Sequence, residues 1–138
     1  MQDFKKLIVW QKSHALLIEI YRVVESFPKE ELFGLSKQLK DAALSVEANL
    51  AEGSAKPGDL EFNRYVSISL GSACETESHL ITARDLKFMS SPEYERLNSS
   101  CQEVRRMLVS LHRRLSGSAK RPRRRAPPAG SSGLEARG

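Results

Sequence analysis

From Tyr94 onward, apolar side chains return at alternating intervals of three and four residues: Tyr94, Leu97, Cys101, Val104, Leu108, Leu111 and Leu115. At about 3.6 residues per turn this places them on one stripe of a helix roughly six turns long. Such a stripe needs a cover, so the rest of the chain has to supply further amphipathic helices. Three earlier segments do so. Leu7, Trp10, His14, Leu17, Tyr21 and Val24 form one row. Leu35, Leu39, Ala42, Val46 and Asn49 form a second, and Phe62, Val66, Ser69, Ala73, Thr76, Leu80 and Ala83 form a third that is unusually small and polar.

Breaks fall at Pro28 and Gly34, at Gly53 through Gly58 with Pro57, and at Ser90, Ser91 and Pro92. Gly53 suits the left-handed position just past a helix. Asp59 is the expected N-cap of the third helix, and Ser91 that of the fourth, with Pro92 at its first helical position. No segment alternates as a strand would, and the connections are short, so consecutive helices are expected to lie antiparallel. The predicted fold is all-α: an up-down-up-down antiparallel four-helix bundle over residues 1–115. Small residues, among them Ala42, Ala43, Ser69, Gly71, Ser72 and Ala73, should let the second and third helices approach closely.

Residues 116–138 read SGSAKRPRRRAPPAGSSGLEARG, with one Leu as their sole large apolar side chain. They cannot bury enough to offset ordering entropy and are expected to form a disordered Arg/Pro/Gly-rich tail. The tail also holds the charge. Of 22 Lys+Arg and 17 Asp+Glu in 138 residues, 16 of each fall before residue 116, so the net +5 belongs to the tail. No stretch approaches the roughly 20 apolar residues of a membrane span, and the N-terminus lacks the apolar region of a secretory signal. The expected location is the cytoplasm.

The first helix carries a second apolar row, Val9, Leu16, Ile20, Val23 and Phe27, roughly 110° around the helix from the first. A bundle helix that touches two neighbours needs a wide apolar stripe, which is one reading of this row; the other, expected here because an exposed row of this kind is an aggregation hazard, is that it buries against another subunit. Chemistry is harder to find. His14, His79 and His112 lack an i+4 partner for a metal helix. Gly71, Ser72 and Cys74 lie mid-helix, where backbone amides are committed to the ladder and cannot form an oxyanion hole. Phosphate-cradle motifs are absent from the sequence. Cys74 and Cys101 have no disulfide or metal spacing and read as reduced core thiols. The expectation is a protein without catalytic residues, cofactor, metal or small-molecule substrate. Against this, Arg105, Arg106, Arg113, Arg114, Lys120, Arg121, Arg123, Arg124 and Arg125 make one basic zone. No aromatic is interleaved with them, so any nucleic acid would be held through its phosphates, without sequence preference.

The strings FKKLIVWQKSHALLIEIY (4–21), FPKEELFGLSKQLKDAALSVEANLAEG (27–53) and EFNRYVSISLGSACE (61–75) together resemble the bacterial four-helix-bundle family associated with intervening sequences of large-subunit ribosomal RNA genes. More distantly, the chain is similar to the accessory variability proteins of diversity-generating retroelements. The first resemblance implies a bundle assembling into a homopentameric ring. The second implies binding to a reverse-transcriptase-like protein and to RNA or DNA. Trp10, Asn49, Glu52 and Gly53 match the family's pattern and read as structural: Trp10 a large seam residue, Asn49 a polar seam residue able to fix register, Gly53 a punctuation. Glu52 near a helix C-terminus is unfavourable electrostatically, and is expected to find a partner in Asn49, Gln38 or a loop amide. After Gln38 and Leu39 the family has two basic residues, whereas here Lys40 is followed by Asp41. A nucleic-acid surface would therefore rest on the fourth helix and the tail. The competing expectation is a protein-binding scaffold for which assembly itself is the functional property.

Overall fold

A computed structural model describes residues 2–120. The described residues are helical and contain no strand. α1 spans Ile8–Val24, α2 Leu35–Ser54, α3 Gly58–Asp85 and α4 Ser91–Lys120, with 3₁₀ turns at Phe4–Lys6 and Lys29–Glu31. α1 packs on α2 and α4, and α3 on α2 and α4, while the diagonal pairs do not meet. Side-chain pairs give the directions. His14 meets Glu47 and Tyr21 meets Lys40; Lys12 meets Glu103 and Glu19 meets Arg96; Asn63 meets Ser116 and Glu77 meets Gln102. Along each pair one number rises as the other falls, so these neighbours run antiparallel.

The α3 and α4 seams are buried throughout. Where seam residues are small the helices are tied by hydroxyls: Ser69 donates to the Val46 carbonyl at 2.7 Å, and Ser45 and Ser72 share a hydrogen bond of 2.7 Å. Gly71 is different. A Cβ there would meet nothing within 4 Å, so it plays no part in the close approach.

Helix α1 corrects the expectation about its two rows. Val9, Leu16, Ile20, Val23 and Phe27 were expected at a subunit interface, but all five are buried in the core of the single chain. Their row points between α2 and α4, the only direction in which a corner helix of four can bury its apolar surface. The row through His14 and Tyr21 faces outward instead, although Leu17 within it is buried and Leu7, Trp10 and Val24 are half-buried against the core. With two adjacent rows of similar length, sequence periodicity cannot say which one bisects the neighbours.

Helix ends supply four further corrections. α2 continues through Gly53 to Ser54, so Gly53 is helical rather than a left-handed cap. Its function is steric: a Cβ at Gly53 would lie 2.6 Å from Tyr65 Cβ and 3.1 Å from the Phe62 ring. The positive φ belongs to Gly58, at +79°, which opens α3 after Pro57, one residue before the expected cap Asp59. Ser90, not Ser91, caps α4, in a reciprocal box in which Glu93 N–H donates to Ser90 Oγ and Ser90 N–H donates to Glu93 Oε1. Finally, α4 runs five residues beyond the expected end at Leu115. Ser116, counted in the tail by composition, accepts a 2.9 Å hydrogen bond from Asn63 Nδ2.

Candidate nucleic-acid interface

The C-terminal half of α4 buries Val104, Leu108, Leu111 and Leu115, which turns the intervening residues outward. Because Arg106, Arg113 and Arg114 fall on those intervening positions, all three are exposed. None of them makes an ion pair among the described residues. Arg105 behaves otherwise. It leans towards α3, where its Nε lies 3.7 Å from Glu77 Oε1, and Gln102 donates to the other oxygen of the same carboxylate. Its Nε is buried without a hydrogen bond. Arg105 is therefore partly committed within the fold, and among the described side chains of this half of the helix the unpaired positive charge comes from the other three.

Arg105, Arg106, Val109, Ser110 and Arg113 line a shallow groove of about 360 Å³. A second groove of about 380 Å³ lies on the other side of Ser110, between α4 and the start of α1, and has Lys6 and Arg114 at its edges. Lys6 is the residue that sequence reasoning missed. It is remote from α4 in the chain, and only the short 3₁₀ turn at Phe4–Lys6 brings it alongside. The turn is shaped by Asp3, whose carboxylate accepts the Lys5 N–H at 3.1 Å. Lys120 lies in α4, while Arg121, Arg123, Arg124 and Arg125 lie outside the described residues.

Hydrogen bonding around this surface is local. His112 Nδ1 lies 2.8 Å from Asn63 Oδ1, so it joins the Asn63–Ser116 pair that binds α4 to α3. The family-pattern residues sit elsewhere. Trp10 stacks on His14 at 4.9 Å and takes the edge of Phe4 at 5.0 Å. Asn49 donates to Ser45 O and Oγ, which links it through Ser45 and Ser72 to α3. Glu52 is exposed and its carboxylate has no hydrogen-bond partner among the described residues. Exposure to solvent takes the place of the partner expected for it.

Among the described residues no group of three or more His, Cys, Asp and Glu is placed to hold a metal, and no helix is long and apolar enough to cross a membrane. Cys101 is a buried core thiol whose Sγ lies 3.5 Å from the Ala73 carbonyl. Burial, with Glu77 adding to it, pushes its pKa up to about 12. Cys74, expected in the core as well, is exposed. Ser72, the hydroxyl of the Gly71–Ser72–Cys74 stretch, is occupied by Ser45.

No curated protein matches the chain. Among solved structures, it is similar to a protein of unknown function from the S23 ribosomal protein family of Bacteroides thetaiotaomicron VPI-5482. The TM-score is 0.68 at 25% identity, over 75% of this chain and 97% of that one. Residues 5–110 match the 23S rRNA-intervening sequence protein family, a span from the first 3₁₀ turn to the basic half of α4. The chain belongs to the 23S rRNA-intervening sequence protein family.

Proposed function

We propose that this chain is a non-enzymatic, up-down-up-down helical bundle that assembles with copies of itself and binds nucleic acid electrostatically in the cytoplasm. The observation that carries the proposal is the row Arg106, Arg113 and Arg114, exposed on one helix without acidic partners among the described residues, with Lys6 beside it. Uncompensated guanidinium groups on a rigid helix suit phosphate oxygens, which they bind with charge-assisted hydrogen bonds. The grooves between them are lined by aliphatic and polar side chains, with no aromatic platform for an unstacked base. The phosphates are therefore the contacted groups, and RNA and DNA are both substrates of the surface. Five copies per ring follow from the resemblance to the family.

The experiment is titration of the full-length chain into labelled RNA and labelled duplex DNA at about 0.1 M salt, with the mass of the protein measured by light scattering on the same sample. Binding by a multimer supports the proposal. A multimer that retains neither polymer moves the reading to a protein-binding scaffold, for which the exposed apolar residues Leu60 and Leu86 are the supporting feature.

A further inference from the structure

Phe33 is 84% exposed, more than any other large apolar side chain among the described residues, and Leu32 beside it is 53% exposed. Neither is there because the backbone is loose. Glu31 N–H donates to Pro28 O, Leu32 N–H to Lys29 O and Gly34 N–H to Glu31 O, at 2.9, 3.1 and 3.0 Å. The Glu31 carboxylate then accepts the Leu35 N–H at 3.0 Å and caps α2. A phenyl ring held out by a hydrogen-bonded turn loses little freedom on insertion into a partner, because most of the ordering has already been done.

Next to this turn is a groove of about 450 Å³, walled by Tyr21, Val24, Phe27, Pro28 and Leu32, with Ser36 on its lining at 3% exposure. The space exceeds what one phenyl ring fills. Its rim is cationic: Lys29 and Lys40 stand against Glu25 alone. The turn that bears Phe33 is flanked by Glu30, which is exposed. Among the described residues Glu30, Lys29 and Lys40 make no ion pair, and Lys40 lies over the Tyr21 ring at 5.2 Å. An apolar knob with an acidic neighbour thus accompanies an apolar groove with a basic rim on the same molecule. That is the pairing a head-to-tail contact between copies requires, the kind of contact from which a closed ring is built.

We infer that the groove at Tyr21, Phe27 and Leu32 receives Phe33 of a second copy of this chain, with Glu30 of the incoming turn set against Lys29 and Lys40. This inference rests on the self-assembly reading above and identifies its surface. Knob and groove are different residues, so one copy without its knob and another without its groove still form one sound interface between them.

That property gives the test. Full-length wild type, Phe33→Asp and Tyr21→Asp are each measured by light scattering across a concentration series, with circular dichroism as the check on folding, and the two variants are then mixed. Phe33 is exposed and Tyr21 is 44% exposed, so both variants are expected to fold. The expected result is a multimeric wild type, two folded variants of monomer mass, and a hetero-pair on mixing. A wild type that stays monomeric overturns self-assembly and the inference together. A multimeric wild type with an unchanged Phe33→Asp mass leaves self-assembly standing and overturns the inference. Two monomeric variants that do not pair on mixing overturn the seating of Phe33 in this groove. If either aspartate variant unfolds, Glu30→Lys and Lys40→Glu replace them: each weakens association, and the double variant recovers it.

Discussion

Gly53 of α2 lies against Tyr65 of α3 so closely that a methyl group on its Cα would stand 2.6 Å from Tyr65 Cβ and 3.3 Å from the Phe62 carbonyl oxygen. Neither obstacle is the far end of a flexible side chain. Hydrogen on that Cα is thus what sets the separation of the two helices at the α2–α3 end of the molecule.

Gly53→Ala consequently destabilises the fold even though alanine favours a helix by roughly 1 kcal/mol over glycine. Overpacking costs typically 1–3 kcal/mol, and the net loss is read as a fall in the urea midpoint at unchanged slope. Gly71→Ala is the control. Its Cβ meets nothing within 4 Å, so helix propensity acts alone and stability rises by roughly 0.5–1 kcal/mol.

Lys87 follows the end of α3 with φ +63°, while Phe88 N–H donates to Ala83 O and Lys87 N–H to Arg84 O, both at 2.9 Å. This is the hydrogen-bond pattern that glycine ordinarily completes. Lys87→Gly relieves the left-handed cost and raises stability by up to about 1 kcal/mol, less what the freer unfolded chain takes back. A thermal melt that moves down instead refutes the reading of this turn.

His14 Nδ1 lies 2.7 Å from Glu47 Oε2, and Glu47 is buried whereas His14 is half open to solvent and stacked on Trp10. His14→Ala strands the carboxylate and removes one face from the indole. A loss of roughly 1–3 kcal/mol follows from the unsatisfied acceptor, together with a change in the fluorescence of the one tryptophan. Glu47→Gln keeps an acceptor and costs less.

The two cysteines should react very differently. Cys74 is exposed, whereas burial raises Cys101 to about 12 from its ordinary 9.0. At pH 8 a thiol reagent labels one cysteine per native chain and two per unfolded chain. Between pH 9 and about 12 the unfolded Cys101 has lost its proton and the native one retains it, so native protein binds more protons there. Stability from this group is complete below pH 9 and falls as pH rises through that window.

The two later seams were legible because each had a single apolar stripe, so periodicity and burial had to agree at every position from Phe62 to Ala83 and from Tyr94 to Leu115. α1 was not, since two rows competed and only the placement of α2 and α4 decides between them. The subunit surface inferred now lies instead on the outward row through Tyr21 and on the turn at Phe33, where no period exists to be read. Gly53 carried a signal of the right strength but the wrong kind: glycine reports either a left-handed backbone or a close approach, and sequence does not say which. The arginines of α4 were visible as a charge run, but Lys6 could join them only once the chain had folded back upon itself.

The most direct test of the electrostatic reading compares full-length protein with Arg106→Ala/Arg113→Ala/Arg114→Ala, measuring affinity for duplex DNA across a salt series. Removing one neutralised phosphate lowers the slope of log K against log salt by roughly 0.9. The account predicts a folded variant with weaker binding and a slope shallower by about 2 to 3. The same affinity and slope in the variant would contradict it and remove this face of α4 from the binding surface.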